Sequence, residues 1–186
     1  MSNSTRKTAV TAAIASGALV LASTALSQFL MRWEGGQEYT AYADNLAGGV
    51  PTVCAGLTNA TSPLPVVVGD YWSEQACRDI ERLVVSGTQL KLAECLTRNI
   101  AQPVFDALTS HAHNFGVAST CASRAVGLMN RGQIAAGCDA LAHSEAGSPV
   151  WSYVTKSNGQ KQFVRGLYNR RLAEREMCLQ GATAGG

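Results

Sequence analysis

Residues 33–56 of the chain read WEGGQEYTAYADNLAGGVPTVCAG, and this stretch decides the fold class. It opens at the end of a helical pattern that stops at residues 35–36, two glycines of the kind that commonly end helices. Residues 39–42 are rich in tyrosine and threonine, which favour a β-strand. The turn-rich residues 45–49 follow, and residues 51–54 form a return strand. The stretch therefore predicts a helix end followed by a small hairpin or meander.

Three polar side chains in this stretch are candidates for a catalytic site. Glu34 stands at the helix end beside Trp33, and an acid next to an indole at the mouth of a cleft suits a general acid. An ordinary surface glutamate is the alternative. Asp44 closes the first predicted strand and Thr52 lies on the return strand, so a carboxylate and a hydroxyl on one hairpin could hold a water molecule. The alternative for Asp44 is that it only makes a turn with Asn45.

The chain after Pro65 has helical patterns throughout. Ser73 predicts an N-cap and Pro103 a first helical turn, while Gly181 predicts a C-terminal stop. The predicted helical segments are 73–84, 90–96, 103–112, 122–129, 133–142 and 164–179, followed by a disordered tail over 182–186. One small β element on a mostly helical body indicates an α+β fold.

The N-terminus has the pattern of an export segment. Arg6 and Lys7 precede an uncharged stretch from Thr8 to Met31 that is rich in small residues. Two basic residues before an apolar run are typical of secretion, with the following body on the far side of the membrane. Either a peptidase cuts after a triplet such as residues 25–27, or the uncut segment forms an N-terminal hydrophobic helix that anchors the protein. A buried, alanine-rich helix of a soluble protein is the third reading.

The composition excludes some partners and favours others. The formal net charge is only +2, which gives no support for nucleic acid, and 46% hydrophobic residues suffice for a core. Glu174 and Glu176 interleave with the basic residues of the last helix, so this helix is interpreted as a solvated face. His111 and His113 point in different directions on a helix, and we expect no metal there.

Six cysteines indicate an oxidising compartment. None of them forms a CxxC pair, and they are spread along the chain at positions Cys54, Cys77, Cys95, Cys121, Cys138 and Cys178. An even number of widely spaced cysteines in an exported chain favours disulfide bonds, although the sequence does not fix their pairing. We expect Cys138 to pair with Cys178, because both lie late in the helical body. Reduced, buried thiols in a cytosolic protein are the alternative.

The motifs resemble those of phage-type lysozymes, glycoside hydrolase family 24. The N-terminal part of the resemblance is Glu34-Gly35, Tyr42, Asp44 and the segment from Thr52 to Gly56. The later parts are residues 113–116, which are similar to an asparagine-containing helix element lining the cleft, and residues 165–179, which are similar to the closing helix. The resemblance covers essentially all of the chain after Met31 and implies a lysozyme-like domain that cleaves peptidoglycan.

The resemblance also implies roles for individual residues. Glu34 would be the general acid, Asp44 would position or activate water and stabilise positive charge on the sugar, and Thr52 would hold the water. His113 and Asn114 would bind substrate. Nine residues lie between Glu34 and Asp44 and seven between Asp44 and Thr52, and both intervals are longer than is usual in the family. The altered spacing makes Asp44 the least secure of the three.

The N-terminal segment resembles the signal-anchor-release segment of some phage lysozymes. This implies residues 1–31 as signal-anchor-release or signal segment, 32–181 as a lysozyme-like catalytic domain and 182–186 as a tail. The chain would bind the inner membrane through this segment, with its body in the periplasm, and would later be released to act on peptidoglycan as a monomer without cofactor or metal. The rival expectation is an exported, disulfide-stapled protein that binds the wall or has a structural role on the same scaffold without catalysis.

Overall fold

The computed structural model describes residues 8–45 and 48–183. Arg6 and Lys7, the basic residues before the uncharged stretch, lie outside these ranges, as do residues 184–186 of the predicted tail. Within them the elements, in chain order, are the helices and strands α1 (Ala9–Ala15), α2 (Thr24–Trp33), β1 (Glu38–Asp44), β2 (Val50–Cys54), β3 (Leu57–Thr58), α3 (Glu74–Ala93), α4 (Gln102–Phe115), α5 (Val117–Cys121), α6 (Arg124–Asn130), α7 (Ile134–Asp139), β4 (Tyr153–Thr155), β5 (Lys161–Phe163) and α8 (Arg165–Thr183). The architecture is mostly helical with two small antiparallel sheets, which confirms the fold class, although the sequence predicts only the first of these sheets.

The chain divides into two compact units. Residues 22–87 form one unit, called here the β unit because it contains β1, β2 and β3. The residues up to Leu21 together with those from Thr88 onward form the other, called here the helical unit. The boundary at Gly87 falls inside α3. The division at residues 31 and 181 that the sequence suggests stays a prediction.

The β unit is built on the hairpin that the sequence predicts. Strand β1 pairs antiparallel with β2, and β2 pairs with β3. Ala41, Val53 and Leu57 pack from the sheet into a small core beneath it. The disulfide between Cys54 and Cys77 ties the end of β2 to the first turns of α3. A short hairpin alone is only marginally stable, so this bridge and this core hold it in place.

The helical unit is centred on α4. Nine consecutive residues of this helix, 104–112, are buried, and α8 packs along it. Two disulfides close the unit, between Cys95 and Cys121 and between Cys138 and Cys178. The second of these pairs confirms the expectation from the sequence.

The N-terminal segment forms two short helices rather than the single hydrophobic helix expected from the sequence. Helix α1 ends at Ala15 with Ser16 as its C-cap, and Gly17 follows with a φ of 78° that interrupts a helix. Helix α2 starts afresh, with the Ser23 hydroxyl accepting a hydrogen bond from the backbone N–H of Leu26 at 3.0 Å. None of the helices formed by residues 8–45 and 48–183 has the length and apolar character of a membrane span.

Three further expectations need correction. Helix α3 is continuous to Ala93, so the separate helix expected over 90–96 does not exist. Helix α8 runs through Gly181 to Thr183, which overturns the predicted stop and takes the first two residues of the expected tail into a helix. A side chain at Gly181 would meet Val104 at 3.0 Å, so this glycine allows close packing of α8 against α4.

The third correction concerns the hairpin of β4 and β5. The sequence after Pro65 predicts only helices, and this hairpin lies within that part of the chain. Each strand has three residues, too few for a period of two to stand out. The signal was nevertheless present in the turn. Asn158-Gly159 is a pair typical of tight hairpins, and Gly159 has a φ of 80°.

A buried ionic cluster joins α8 to α4. The carboxylate of Glu174 accepts hydrogen bonds from Arg171 and from the hydroxyl of Ser110, both at 2.6 Å. Arg170 lies beside them and donates to the Ser110 hydroxyl at 3.3 Å. Burial raises the pKa of the Glu174 carboxyl to about 7, although Arg171 pulls the pKa down. The guanidinium of Arg171 also lies 4.7 Å from the centre of the Phe115 ring.

His111 is the buried histidine of α4 and is held neutral. Its Nδ1 lies 2.8 Å from the hydroxyl of Thr120, and that hydroxyl donates to the carbonyl of Gly116. The imidazole therefore donates from Nδ1 to Thr120. The rings of His111 and Trp151 pack in a T-shaped arrangement with centroids 4.7 Å apart. Burial, followed by the charges of Arg171 and Arg170, lowers the pKa of His111 from 6.5 to about 3.

This depressed pKa predicts an acid-dependent loss of stability. Between pH 6.5 and about 3, His111 is protonated in the unfolded chain and neutral in the folded chain. The free energy of unfolding therefore falls as the pH is lowered through this range. Replacing His111→Gln should remove this dependence. We expect the free energy of unfolding of wild type, minus that of the variant, to decrease by about 1.4 kcal/mol for each unit by which the pH is lowered below 6.5.

Denaturant unfolding at several pH values checks this prediction. Glu174 titrates in an overlapping range with the opposite sign, so the comparison uses the difference between variant and wild type. Thr120→Val is the matched control, because it removes the partner hydroxyl and keeps the buried imidazole; it should lower stability and retain the pH dependence. An unchanged difference for His111→Gln across pH 4.5 to 7 would show the prediction to be wrong.

Candidate active site

Glu34 is placed by the end of α2. It is the C-cap residue, with φ −97° and ψ 5°, and its side chain is partly buried. Gly35 and Gly36 follow with φ values of 78° and 134°, which residues other than glycine rarely adopt. The two glycines therefore let the chain turn sharply after the glutamate and enter β1. The helix end predicted from the sequence is confirmed.

Asp44 and Thr52 share one face of the hairpin. In the register of β1 and β2, Asp44 lies opposite Val50 and Tyr42 lies opposite Thr52. Side chains two residues apart on a strand, and those directly opposite on its neighbour, point to the same side of a sheet. Asp44 is thus the diagonal neighbour of Thr52. The opposite face carries Val53, which is buried in the core of the unit.

The hydroxyl of Thr52 has a defined orientation. Its Oγ1 donates a hydrogen bond to the carbonyl of Val50 at 3.0 Å, and the residue is 4% exposed. Because the proton is engaged in this bond, the remaining lone pairs of the oxygen are acceptors. The side chain is therefore able to receive a hydrogen bond from a small polar molecule on this face of the sheet.

Glu81 connects the two parts of the candidate site and is not among the residues predicted from the sequence. The Nε2 of Gln37, three residues after Glu34, donates to both Glu81 oxygens at 3.1 and 3.2 Å. The backbone N–H of Ala55, three residues after Thr52, donates to Glu81 Oε1 at 3.0 Å. One carboxylate on α3 thus holds the segment after the helix end and the segment after β2.

A signal for Glu81 existed in the sequence but required the disulfide pairing. Glu81 lies four residues after Cys77, which puts both on the same face of α3. Cys77 pairs with Cys54, and Ala55 is the next residue in the chain. Without that pairing, Glu81 is one of several acids on an amphipathic helix.

Two buried polar atoms belong to residues that are close to Glu34 in the sequence. The indole Nε1 of Trp33 and the amide Oε1 of Gln37 have no hydrogen-bond partner among the residues that the structure describes. Native proteins satisfy most buried polar atoms, and the exceptions often mark sites that receive a ligand or water. The neighbourhood of Glu34 therefore has polar groups available to a bound molecule.

His113 and Asn114 lie in the last turn of α4, in the helical unit. Both side chains are exposed, and the helix ends one residue later at Phe115, before Gly116 with a φ of 84°. Their role in binding substrate stays a prediction. Within residues 8–45 and 48–183, no group of three or more histidine, cysteine, aspartate or glutamate side chains has the arrangement of a metal site.

Comparison with protein families decides where the chain belongs. The phage lysozyme family model matches residues 31–174, a range that includes Glu34, Asp44 and Thr52. The chain belongs to the phage lysozyme family. The match includes parts of both compact units and begins three residues before the glutamate of the helix end.

Individual phage lysozymes and their structural relatives agree with this assignment. A SAR-endolysin of Pseudomonas phage phiKMV is 35% identical over 153 residues, which cover 78% of this chain and 81% of that protein. A SAR-endolysin of Bacteriophage PS119 is 28% identical over 181 residues, covering 94% of this chain and 95% of that protein.

Two solved structures share the fold. The endolysin from Escherichia coli O157:H7 phage FAHEc1 superimposes with a TM-score of 0.69 at 24% identity, over 86% of this chain and 93% of its own. The muramidase domain of SpmX from Asticaccaulis excentricus also gives a TM-score of 0.69, at 20% identity, over 84% of this chain and 96% of its own. The lysozyme-like fold expected from the sequence is confirmed.

The contacts of Glu81 predict a local effect of its removal. Hydrogen bonds to a charged group contribute about 1.5–3 kcal/mol each, so Glu81→Ala should let the segment around Ala55 open more often. We expect the backbone N–H of Ala55 to exchange with solvent about tenfold faster or more. Amide hydrogen exchange followed by NMR measures this directly.

Glu74→Gln is the matched control, because Glu74 is an exposed acid on the same helix whose side chain bonds only to Arg78 in the described structure. It should leave the exchange of Ala55 unchanged. If both variants accelerate exchange equally, the effect belongs to α3 as a whole and not to the Glu81 contacts.

Proposed function

We propose that this chain is an endolysin that hydrolyses the β-1,4 bond between N-acetylmuramic acid and N-acetylglucosamine in peptidoglycan during lysis of the host cell. The observation that carries the proposal is the family match over 31–174 together with the face of the hairpin on which Asp44 and Thr52 are neighbours. The SAR-endolysins of related phages support the same activity. The reaction requires no cofactor or metal.

In the proposed mechanism, Glu34 is the general acid. Its carboxyl donates a proton to the glycosidic oxygen, and the bond from this oxygen to the anomeric carbon breaks. Glu34 lies at a helix end, in a segment where Trp33 and Gln37 carry buried polar atoms without a partner among the described residues, and this supports a role in contacting a polar ligand. Positive charge then develops on the sugar ring that contains the anomeric carbon, and a carboxylate at Asp44 stabilises this charge.

Thr52 and Asp44 bind and orient the attacking water. Since the Thr52 hydroxyl donates to Val50, its oxygen accepts one hydrogen of the water, and the Asp44 carboxylate accepts the other. The water oxygen attacks the anomeric carbon from the side opposite the leaving group, and its proton passes to Asp44. The product has inverted configuration at that carbon. Glu34 ends ionised and Asp44 protonated, and proton exchange with solvent restores both.

The rival function is a wall-binding or structural protein that uses this scaffold without catalysis. The longer intervals between Glu34, Asp44 and Thr52 favour it. The register answers part of this objection, because the interval from Asp44 to Thr52 contains the connection between β1 and β2, and the two residues still lie on one face. Loops tolerate such insertions at small energetic cost.

Replacing Glu34→Gln tests the catalytic assignment. A glutamine cannot donate the proton, so we expect the release of reducing sugar ends from purified peptidoglycan to fall by about a hundredfold or more. Glu38→Gln is the matched control, because Glu38 is an exposed glutamate at the start of β1. It should retain the wild-type rate.

Retention of activity by Glu34→Gln would overturn the mechanism. Absence of reducing ends with wild-type protein would favour the non-catalytic rival. Release of free amino groups in place of reducing ends would identify an amidase or peptidase.

We further propose that residues 1–31 anchor the newly made protein in the inner membrane with its body in the periplasm, and that the uncut segment later leaves the bilayer and folds onto the domain. Supporting this, Val10 and Leu19 are 0% and 3% exposed in the core of the helical unit. The hydroxyl of Thr8 donates to the carbonyl of Ala93 at 2.7 Å. Gln102 exchanges two hydrogen bonds with the backbone of Val20. The released protein acts as a monomer.

Changing the hydropathy at exposed positions tests this release. Ala12 and Ser16 are exposed in the folded segment, so Ala12→Leu with Ser16→Leu should preserve the fold and strengthen membrane insertion, since leucine favours insertion by about 0.5 kcal/mol per residue. We expect more protein in the membrane fraction and delayed lysis. Ala12→Gln with Ser16→Gln, the control of opposite sign, should speed release.

The mass of the periplasmic protein is the decisive measurement for the segment. The full-length mass is expected. A protein that has lost the residues up to Ser27 would establish a cleaved signal and end the release proposal.

A further inference from the structure

The hairpin of β4 and β5 presents a mixed aromatic and basic face. Tyr153 lies opposite Phe163 and Thr155 lies opposite Lys161. By the period of two along a strand, these four side chains point to the same side of the hairpin, and Val154 and Gln162 point to the other. The four residues Tyr153, Thr155, Lys161 and Phe163 are called the hairpin face.

The two rings of the hairpin face are exposed but held in place. Tyr153 and Phe163 are 43% and 39% exposed. Their centroids are 5.6 Å apart with the planes at 66°, and Phe163 also packs on Tyr168 at 5.8 Å. Rings that support one another in this way lose little conformational freedom when a ligand covers them. The pair is therefore preorganised for contact with a flat apolar surface such as a sugar ring.

The sequence that contains the hairpin face carries basic residues and no acidic ones. No aspartate or glutamate occurs between Glu145 and Glu174, whereas Lys156, Lys161 and Arg165 lie in this interval and are exposed. A chain with a net charge of only +2 thus concentrates basic side chains at one small surface. Such a surface attracts carboxylates or phosphates.

The hairpin tip argues against a lipid bilayer as the partner. The residues of the turn, 156–160, are Lys, Ser, Asn, Gly and Gln, and all are exposed. A hairpin that enters the interfacial region of a membrane needs apolar or aromatic residues at its tip. Here the rings lie along the side of the hairpin and the tip is polar, which fits a ligand lying across the strands.

We propose that the hairpin face is a peptidoglycan-binding surface additional to the candidate active site, with the rings of Tyr153 and Phe163 against the sugars and the basic side chains on the carboxylates of the stem peptides. Peptidoglycan alone among the chain's proposed partners offers pyranose rings and carboxylates at short spacing. The surface would hold the insoluble polymer while the enzyme acts on it. The inference rests on the proposed function for the identity of the polymer.

Sedimentation with purified sacculi tests the proposal with the full-length protein. We expect Tyr153→Ser with Phe163→Ser to weaken binding about tenfold, since two partly buried rings are lost from the interface. Val154→Ser is the matched control, because Val154 is also 43% exposed and faces the other side of the same hairpin. It should bind as wild type does.

A second variant guards against misfolding of the first. Lys161→Gln changes an exposed side chain and should weaken binding most at low salt, because screening reduces the attraction at high salt. Wild-type binding by both the double variant and Lys161→Gln would overturn the proposal. So would a loss of binding to vesicles containing anionic phospholipid without a loss of binding to sacculi.

Hydrolysis of short, soluble glycan fragments separates this inference from the proposed function. The hairpin variants should cleave such fragments at the wild-type rate, because the fragments need no additional surface. If wild-type protein cleaves no fragment, the proposed function fails, and the sedimentation result still decides whether the hairpin face binds the polymer.

Discussion

The geometry of the β unit depends on one carboxylate. Glu81 receives hydrogen bonds from Gln37 on one side and from the backbone of Ala55 on the other, at 3.0 to 3.2 Å. The disulfide from Cys54 to Cys77 lies one helical turn away on the same helix. A charge-assisted bond and a covalent bond thus fix the same short segment, which directly follows Thr52. The hairpin is too small to hold such a position without help from α3.

The helical unit contains two buried arginines whose charge must be compensated. Glu174 lies between Arg170 and Arg171, with Ser110 completing the set, and Phe115 covers one guanidinium. Breaking one member of such a cluster leaves uncompensated charge in the core. The cluster sits directly behind the last turn of α4, which carries the predicted substrate-binding residues, so the ionic contacts stabilise the backbone from which those side chains extend.

Much of the β unit could be predicted from the sequence, because its signals are local. The helix end at Glu34, the glycines after it and the strands on either side of the turn follow from residue types alone, and the structure has them. Asp44 and Thr52 were predicted as a pair on one hairpin, and the register puts them on one face. Glu81 could not be predicted, because its role depends on contacts between elements distant in the sequence.

The missed elements have physical explanations as well. Strands of three residues, such as β4 and β5, are too short for periodicity to reveal, so only the Asn158-Gly159 turn indicates them. Gly181 looks like a helix terminator in sequence, yet its lack of a side chain serves the approach of α8 to α4. A glycine near the end of a helical pattern either ends the helix or allows another helix to approach closely. The sequence alone does not distinguish these two roles.

The burial pattern of α1 limits which substitutions the N-terminal segment tolerates. Val10 fills a position in the core of the helical unit, whereas Ala12 and Ser16 face solvent. Substitutions at Val10 affect the folded enzyme and are therefore constrained by packing. Those at the solvent positions leave the core intact, so under the proposed release of the segment they would alter the timing of lysis and not the folded enzyme.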